Sequence, residues 1–166
     1  MTGSTEAPGK ATRNMSRILA YIDDSPDDLF LFRSACKLAG IEWEPLLIEG
    51  GSEAIGYLDR RGKYSDRAKF PDAQMVLLDV KMPGIDGFDV LRHLRSNPSH
   101  ANRPVGLLTS SNLPVDIENA RALGATWYFL KPPDMHHLIE FVKLIDECLC
   151  DPKTCEDGAI RLSKLN

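Results

Sequence analysis

The sequence has no long uninterrupted apolar run. No stretch of its 166 residues reaches the about 20 apolar residues that a membrane-spanning helix needs. The first residues contain Thr, Ser and Gly and lack the apolar centre of a secretory signal peptide. These absences predict a cytoplasmic protein with no membrane partner.

Several other functions are disfavoured by missing charge or missing motifs. The formal net charge of −4 and the pI near 5.6 leave no excess of positive charge for binding nucleic acid. There is no glycine-rich phosphate loop, nucleophile elbow or paired-histidine metal motif. Cys148, Cys150 and Cys155 form a cluster whose spacing matches no paired Cys-x-x-Cys zinc frame, so a metal or redox role is disfavoured and their role stays open.

Length and composition fit a single domain. A chain of 166 residues with 43% hydrophobic content can bury one full core and leaves no room for a second domain of ordinary size. Residues 1–15 have the composition of a disordered N-terminal tail. We expect residues 16–150 to form the domain and residues 151–166 to form a C-terminal tail.

Strand-like and helical patterns alternate along this domain. Helical periodicity is found at about 26–39, 52–60, 87–96, 113–123 and 134–149. Apolar strand-like runs are found at about 17–22, 44–48, 75–79, 104–109 and 126–130. This alternation predicts an α/β fold, in which helices cover both faces of a parallel sheet and the crossovers are right-handed.

The most informative strand ends in an acidic residue. The apolar run that begins at Met75 delivers Asp79 into a turn containing Pro83 and Gly84. Ligands of parallel sheets bind outside the carboxyl ends of the strands, so Asp79 is a candidate functional group. Taken alone, the segment fits equally well a turn that Asp79 merely begins.

The first strand ends in two further acids, Asp23 and Asp24. Helix capping explains Asp27 and Asp28, which follow the N-cap candidate Ser25, but it does not explain the two acids before that cap. If the first strand and the Asp79 strand are neighbours, three carboxylates converge. Such a cluster either shares protons or binds a cation, and hard oxygen ligands suit Mg²⁺ together with a phosphoryl group.

Two more strands end in groups that suit an anionic ligand. The strand that begins at Pro104 runs into Thr109, and the strand that includes Tyr128 runs into Lys131. Taken singly, such a hydroxyl and such a lysine are more often a helix cap and a solvated charge. Their occurrence at strand ends, in order with the acids, indicates one shared site.

This pattern resembles the receiver domain of bacterial response regulators over about residues 17–149. The resemblance rests on the acidic pair, on a Leu-Asp-x-x-Met-Pro-x-x-Asp-Gly motif from Leu78 to Gly87, on Thr109 and Tyr128, and on Lys131-Pro132. It implies a flavodoxin-like (βα)5 sheet with strand order 2-1-3-4-5. It also implies a signalling protein rather than an enzyme.

The resemblance assigns a role to each matching residue. Asp79 would accept a phosphoryl group from a sensor histidine kinase or phosphotransfer protein, and Lys131 would pair with that group across a cis Lys131–Pro132 bond. The cofactor would be Mg²⁺, held by Asp24, Asp79 and the backbone carbonyl of Lys81, and by Asp23 through water. Thr109 and Tyr128 would be the switch residues. In this family the positions of Lys81 and Ser111 tune self-dephosphorylation.

The partners are inferred from the same resemblance. The charged connection from Arg60 to Asp72 resembles the corresponding segment of stand-alone regulators that serve phytochrome-type and hybrid sensor kinases. A downstream protein or a second copy of the chain would read the fourth helix, the strand 126–130, expected to be the sheet edge, and the fifth helix. Trp127, Phe141 and Leu144 are candidate contacts there, although packing of the fifth helix onto the sheet is the favoured explanation of Phe141 and Leu144 taken individually.

Two rival functions come from other classes. One is a receiver-like interaction module that never cycles phosphate. The other is a Mg²⁺-dependent phosphatase with an aspartate nucleophile, which needs a second acid two residues after the nucleophile on the first strand. Ser25 stands two residues after Asp23, so the phosphatase is disfavoured.

Overall fold

The computed structural model describes residues 17–151 and the backbone of residues 160–161. The predicted alternation is confirmed. The strands are β1 (Leu19–Asp23), β2 (Leu46–Glu49), β3 (Met75–Leu78), β4 (Val105–Thr109), β5 (Trp127–Leu130) and the short β6 (Ile160–Arg161). The helices are α1 (Pro26–Leu38), α2 (Gly51–Leu58), α3 (Gly87–Ser96), α4 (Pro114–Ala122) and α5 (Met135–Cys150), and a 3-10 turn covers Gly62–Ser65. Most of the two predicted tails lies outside the described residues.

The sheet has the order β2-β1-β3-β4-β5-β6. The first five strands are parallel, as predicted, and each central strand is paired on both sides. The expectation that β5 is the sheet edge is wrong, because β6 pairs antiparallel with Trp127 and Tyr128. The C-terminal segment therefore adds a strand to the domain.

Two apolar layers enclose this sheet. Alternate residues of β1 point to opposite sides, so that Ala20 and Ile22 pack in the layer under α2, α3 and α4, while Leu19 and Tyr21 pack in the layer under α1 and α5. Every residue of β1, β3 and β4 is buried, as expected for strands covered on both faces. No helix of the described part is long and apolar enough to cross a membrane.

Trp127 does not form an exposed contact surface. Its side chain lies on the face opposite Tyr128, as strand alternation predicts, but it is fully buried in the layer that includes α5. The Phe141 ring packs against Phe129 at a centroid distance of 5.1 Å, and Leu144 is partly buried against the same layer. The proposed partner role of Trp127 is therefore wrong, and packing accounts for Phe141 and Leu144.

The cysteines behave differently from one another. Cys36 is buried and free, and burial raises the pKa of its thiol to about 12. Cys150 is exposed and free, whereas the buried Cys148 is disulfide-bonded. A disulfide thus accounts for one member of the cysteine cluster, whose role the sequence left open.

Helix caps determine how the chain leaves the strands. The Ser25 side chain accepts a hydrogen bond from the backbone N–H of Asp28 at 3.2 Å and begins α1 directly after β1. Asp86 forms a reciprocal capping box with Asp89 and begins α3. Each cap satisfies backbone donors that would otherwise lack partners, and so it fixes the connection between a strand end and the following helix.

Gly87 allows α3 to approach the end of β3 closely. A Cβ atom at this position would lie 2.1 Å from the backbone oxygen of Asp79 and 2.8 Å from the Cα atom of Val80. Both obstacles are backbone atoms, so a side chain could not be accommodated by a rotamer change. Glycine is therefore required here to keep the backbone of Asp79 in place.

We predict that Gly87→Ala lowers the free energy of unfolding by roughly 1–3 kcal/mol, because the added methyl group pushes the helix off the strand end. Gly56→Ala is the matched control, since its Cβ would meet Tyr64 at an ordinary 3.5 Å within α2. Urea denaturation measures both changes. Equal stability of the two variants would show that the close approach is not a constraint.

Candidate functional site

Three carboxylates meet at the carboxyl end of the sheet. Asp23 ends β1, Asp24 follows it, and Asp79 follows the neighbouring β3. The backbone N–H of Asp79 donates to the carbonyl of Ile22 at 2.9 Å, which continues the pairing of the two strands into the site. Oxygen atoms of the three carboxylates lie within 4.8 Å of one another. The predicted convergence is confirmed.

Both carboxylate oxygens of Asp23 are engaged by the protein. One accepts a hydrogen bond from the backbone N–H of Ser25 at 2.9 Å. The other accepts from the Tyr21 hydroxyl at 2.7 Å and from the Lys131 ammonium at 2.8 Å. Asp23 has no exposed surface, and its side chain is held in one position by these hydrogen bonds.

Tyr21 is a site residue that our sequence reasoning missed. Burial, then the neighbouring charge of Asp23, raises the pKa of Tyr21 above its ordinary value. The phenol therefore stays protonated and donates a hydrogen bond to Asp23. The available signal was strand alternation, which places Tyr21 on the same side of β1 as Asp23. An apolar strand containing one tyrosine gave no reason to read the hydroxyl as part of the site.

Asp79 is almost completely buried, with 5% of its surface exposed. Burial raises the pKa of its carboxyl group to about 6; Lys131 opposes that shift, while Asp23 and Asp24 add to it. The backbone N–H of Lys81 also hydrogen-bonds the carboxylate and favours the charged form. Asp79 is therefore a carboxylate whose charge is costly without a further cation nearby.

Lys131 lies among three acids. Its ammonium nitrogen is 2.8 Å from Oδ2 of Asp23, 2.8 Å from Oδ2 of Asp28 and 3.7 Å from Oδ1 of Asp79. Burial acts to lower the pKa of Lys131, but the hydrogen bonds with Asp23 and Asp28 outweigh burial and raise the pKa. The expected cis Lys131–Pro132 bond is not found, because no peptide bond among the described residues is cis.

Asp28 is the second site residue that sequence reasoning missed. Its place in the first turn of α1 was fully explained by the favourable interaction of an acid with a helix N-terminus. The sequence carries no signal for its contact with Lys131, which is 103 residues away. That contact depends on how α1 lies across the ends of β1 and β5.

Thr109, Ser111 and Tyr128 form a second hydrogen-bonded group beside the acids. The fully buried Thr109 hydroxyl accepts from the backbone N–H of Ser111 at 3.2 Å. The Tyr128 hydroxyl donates to the backbone oxygen of Ser111 at 2.8 Å, and the Tyr128 ring is buried. The Ser111 hydroxyl in turn donates to Asp116 in the first turn of α4. The β4–α4 connection is thereby tied to both neighbouring elements.

The donor set of this site suits a hard divalent cation. Carboxylate oxygens are the ligands that such ions prefer, and the three carboxylates offer converging oxygen atoms. The raised pKa of Asp79 is further evidence of fit, since a cation there would offset the repulsion from Asp23 and Asp24. The arrangement lies at the carboxyl edge of a doubly wound sheet, where ligands of such sheets bind.

Comparison with known proteins identifies the family. Residues 19–143 match the response regulator receiver domain, so the chain belongs to that family. Response regulator Rcp1 of Synechocystis sp. is 27% identical over 133 residues, which cover 80% of this chain and 88% of Rcp1.

Solved structures agree with this assignment. The phosphorylated cyanobacterial phytochrome response regulator RcpA gives a TM-score of 0.72 at 26% identity, over 82% of this chain and 95% of RcpA. The Mn²⁺-bound form of Rcp1 gives 0.69 at 27% identity, over 79% of this chain and 92% of Rcp1. The chain is similar to these regulators over nearly their whole length.

The pKa of Asp79 has a consequence for stability. Between its ordinary value of 3.8 and about 6, the folded protein holds more protons at Asp79 than the unfolded chain does. The free energy of unfolding therefore falls as pH rises through that range, and the full cost, roughly 3 kcal/mol, is present above pH 6.

We predict that Asp79→Asn, without divalent cation, is roughly 1–3 kcal/mol more stable than wild type at pH 7.5, and that most of this gain is lost at pH 4. Urea unfolding at the two pH values measures the difference. Asp27→Asn, at an exposed acid, is the control and should gain no comparable stability. A destabilised Asp79→Asn protein at pH 7.5 would contradict the electrostatic account.

Proposed function

We propose that this protein is a single-domain response regulator that accepts a phosphoryl group on Asp79. The observation that carries the proposal is the placement of a nearly buried carboxylate at the sheet edge, between two further carboxylates and within 3.7 Å of the Lys131 ammonium. A carboxylate and a phosphate dianion repel each other, so attack on phosphorus needs nearby cations that offset the negative charge. This site supplies one cation itself and has oxygen ligands for another.

The metal would be Mg²⁺, held by Asp24, Asp79 and the backbone carbonyl of Lys81, and by Asp23 through water. The indirect role suits Asp23 because both of its oxygens already accept hydrogen bonds from the protein. When bound, Mg²⁺ would offset phosphoryl charge and hold the donor in line.

Phosphoryl transfer then needs only positioning from the protein. An Asp79 oxygen attacks phosphorus as the bond to the donor nitrogen or oxygen breaks, and the donor keeps that electron pair. Lys131 pairs with the new phosphoryl oxygens. The result is a signalling state rather than a released product, which is why we class the protein as a phosphoacceptor and not as an enzyme.

Thr109 and Tyr128 would convert the new charge into a change of surface. In the described state, the Tyr128 hydroxyl is held inward by the backbone oxygen of Ser111. If the Thr109 hydroxyl turned to a phosphoryl oxygen, it would release the N–H of Ser111, and with it the anchor of Tyr128. The β4–α4 connection is thus the element that phosphorylation would bias.

The phosphoryl donor would approach the end of α1. A groove of about 270 Å³ between α1 and the start of α5 includes Asp28, Leu31 and Lys131. On the neighbouring surface of α1, the Phe30 side chain is 68% exposed, an unusual state for a large apolar group. This surface fits the helices of a sensor histidine kinase or phosphotransfer protein, and the similarity to RcpA makes a phytochrome-type sensor the first candidate.

The output surface would lie at α4 and the end of β5. Leu113, Val115 and Leu130 are each more than half exposed there. They replace Trp127, which is buried, as the contacts that a downstream protein or a second copy of the chain would use. An output of this kind requires no nucleic acid, in line with the acidic net charge of −4.

We predict that Asp79→Asn abolishes phosphorylation by acetyl phosphate with Mg²⁺, because an amide is neither a nucleophile nor a good ligand for a hard metal. Intact-mass spectrometry of wild type and variant measures the added phosphoryl group. A wild type that takes up no phosphate would favour the rival, a receiver-like module that never cycles it. Wild-type labelling of folded Asp79→Asn would place the acceptor elsewhere.

We predict that Lys131→Ala still takes up some phosphate but loses the conformational response, because the charge that contacts the phosphoryl group is gone. Amide chemical shifts of the β4–α4 connection, with and without phosphorylation, measure the response. The exposed Lys143→Ala on α5 is the control, since Lys143 forms an ion pair with Glu140 of the same helix and lies outside the site. Equal shifts in wild type and Lys131→Ala would refute the role of Lys131.

A further inference from the structure

Lys131 lies closer to Asp28 than to Asp79. The Lys131 ammonium lies at 2.8 Å from Asp28 and at 3.7 Å from Asp79. At equal effective dielectric constant, Coulomb attraction varies inversely with distance, so the attraction to Asp28 is about one third stronger than that to Asp79. The lysine that would neutralise a phosphoryl group on Asp79 therefore rests closer to a different acid.

Helix capping does not account for this contact. Asp27 and Asp28 occupy the same first turn of α1, and either one serves the helix N-terminus. Only the Asp28 side chain reaches across to the Lys131 ammonium, while Asp27 is exposed to solvent. Asp27 and Asp28 thus have the same role at the helix N-terminus, but only Asp28 contacts the distant Lys131.

Asp23 cannot replace Asp28 in this role. Its hydrogen bonds with Ser25 and Tyr21 fix it in the buried site, so its attraction on Lys131 is a constant part of the site. Asp28 stands at the outer side of the site, with 39% of its side chain exposed. Its pull on Lys131 is therefore the component that draws the ammonium outward.

We propose that Asp28 is a positioning residue that competes with the phosphoryl group for Lys131. In the resting protein it stabilises Lys131 in the outer position. During phosphorylation Lys131 exchanges this contact for the phosphoryl oxygens, so Asp28 slows phosphoryl uptake and weakens the phosphorylated state. This inference rests on the proposed function, since it assigns Asp28 an effect on phosphorylation at Asp79.

The test compares Asp28→Asn with Asp27→Asn, which removes the same charge one residue away. With acetyl phosphate and Mg²⁺, we expect Asp28→Asn to take up phosphate about two- to fivefold faster than Asp27→Asn, the factor that a partly exposed ion pair provides. Asp28→Glu retains a carboxylate at this position and should remain near the wild-type rate. Initial rates from intact-mass spectrometry measure all variants, after thermal unfolding has shown that each is folded.

A double-mutant cycle separates the role of Asp28 from a general effect of charge. When Lys131 is replaced by Ala, Asp28→Asn and Asp27→Asn should change the residual uptake rate equally, because the ammonium for which Asp28 and the phosphoryl group compete is absent. A persistent difference in that background would overturn the proposal, as would equal rates of the two variants with Lys131 present. Failure of the wild type to take up phosphate at Asp79 would instead refute the proposed function, and this inference with it.

Discussion

The structure of the site depends on one electrostatic constraint, which is the proximity of three carboxylates at the edge of an apolar sheet. They lie at or directly after the ends of two buried, neighbouring strands, so the backbone of the sheet holds Asp23 and Asp79 close together. The protein offsets their repulsion with the Lys131 ammonium, with the Tyr21 hydroxyl and with backbone N–H groups. These groups do not offset the cost of burying the charge on Asp79, whose pKa is raised to about 6.

The remainder of the fold serves to keep this edge rigid. Gly87 brings α3 against the backbone of Asp79, and the caps at Ser25 and Asp86 direct the chain sharply into the helices. The carboxylates therefore cannot relax by shifting the strand ends. A cation bound here would offset the repulsion among the carboxylates, and close packing of the surrounding backbone favours that solution over a movement of the strand ends.

The sequence allowed the fold and the central residues of the site to be predicted, because both depend on local patterns. Apolar runs and helical periodicity define the strand ends, and the strand ends locate Asp23, Asp79, Thr109 and Lys131. Asp28 and Tyr21 could not be found in this way. Their roles depend on side-chain directions across separate elements, and each already had a sufficient local explanation as a helix-turn acid and a core aromatic. The prediction that Trp127 is an exposed contact was wrong for a related reason. Strand alternation shows which face of the sheet Trp127 lies on, but it does not show how completely the helices cover that face.

Two separate sets of contacts hold the described state on either side of Asp79. On one side, Asp23 and Asp28 hold Lys131; on the other, Ser111 ties Thr109 and Tyr128 to the start of α4. Neither set includes a direct hydrogen bond from these side chains to Asp79, so both remain available to a group added there. A phosphoryl group, with its additional charge and acceptor oxygens, can compete for both at once. In the proposed phosphorylated state the two sets would change together because they share one ligand, and no chain of contacts between them would be needed to couple the site to its surface.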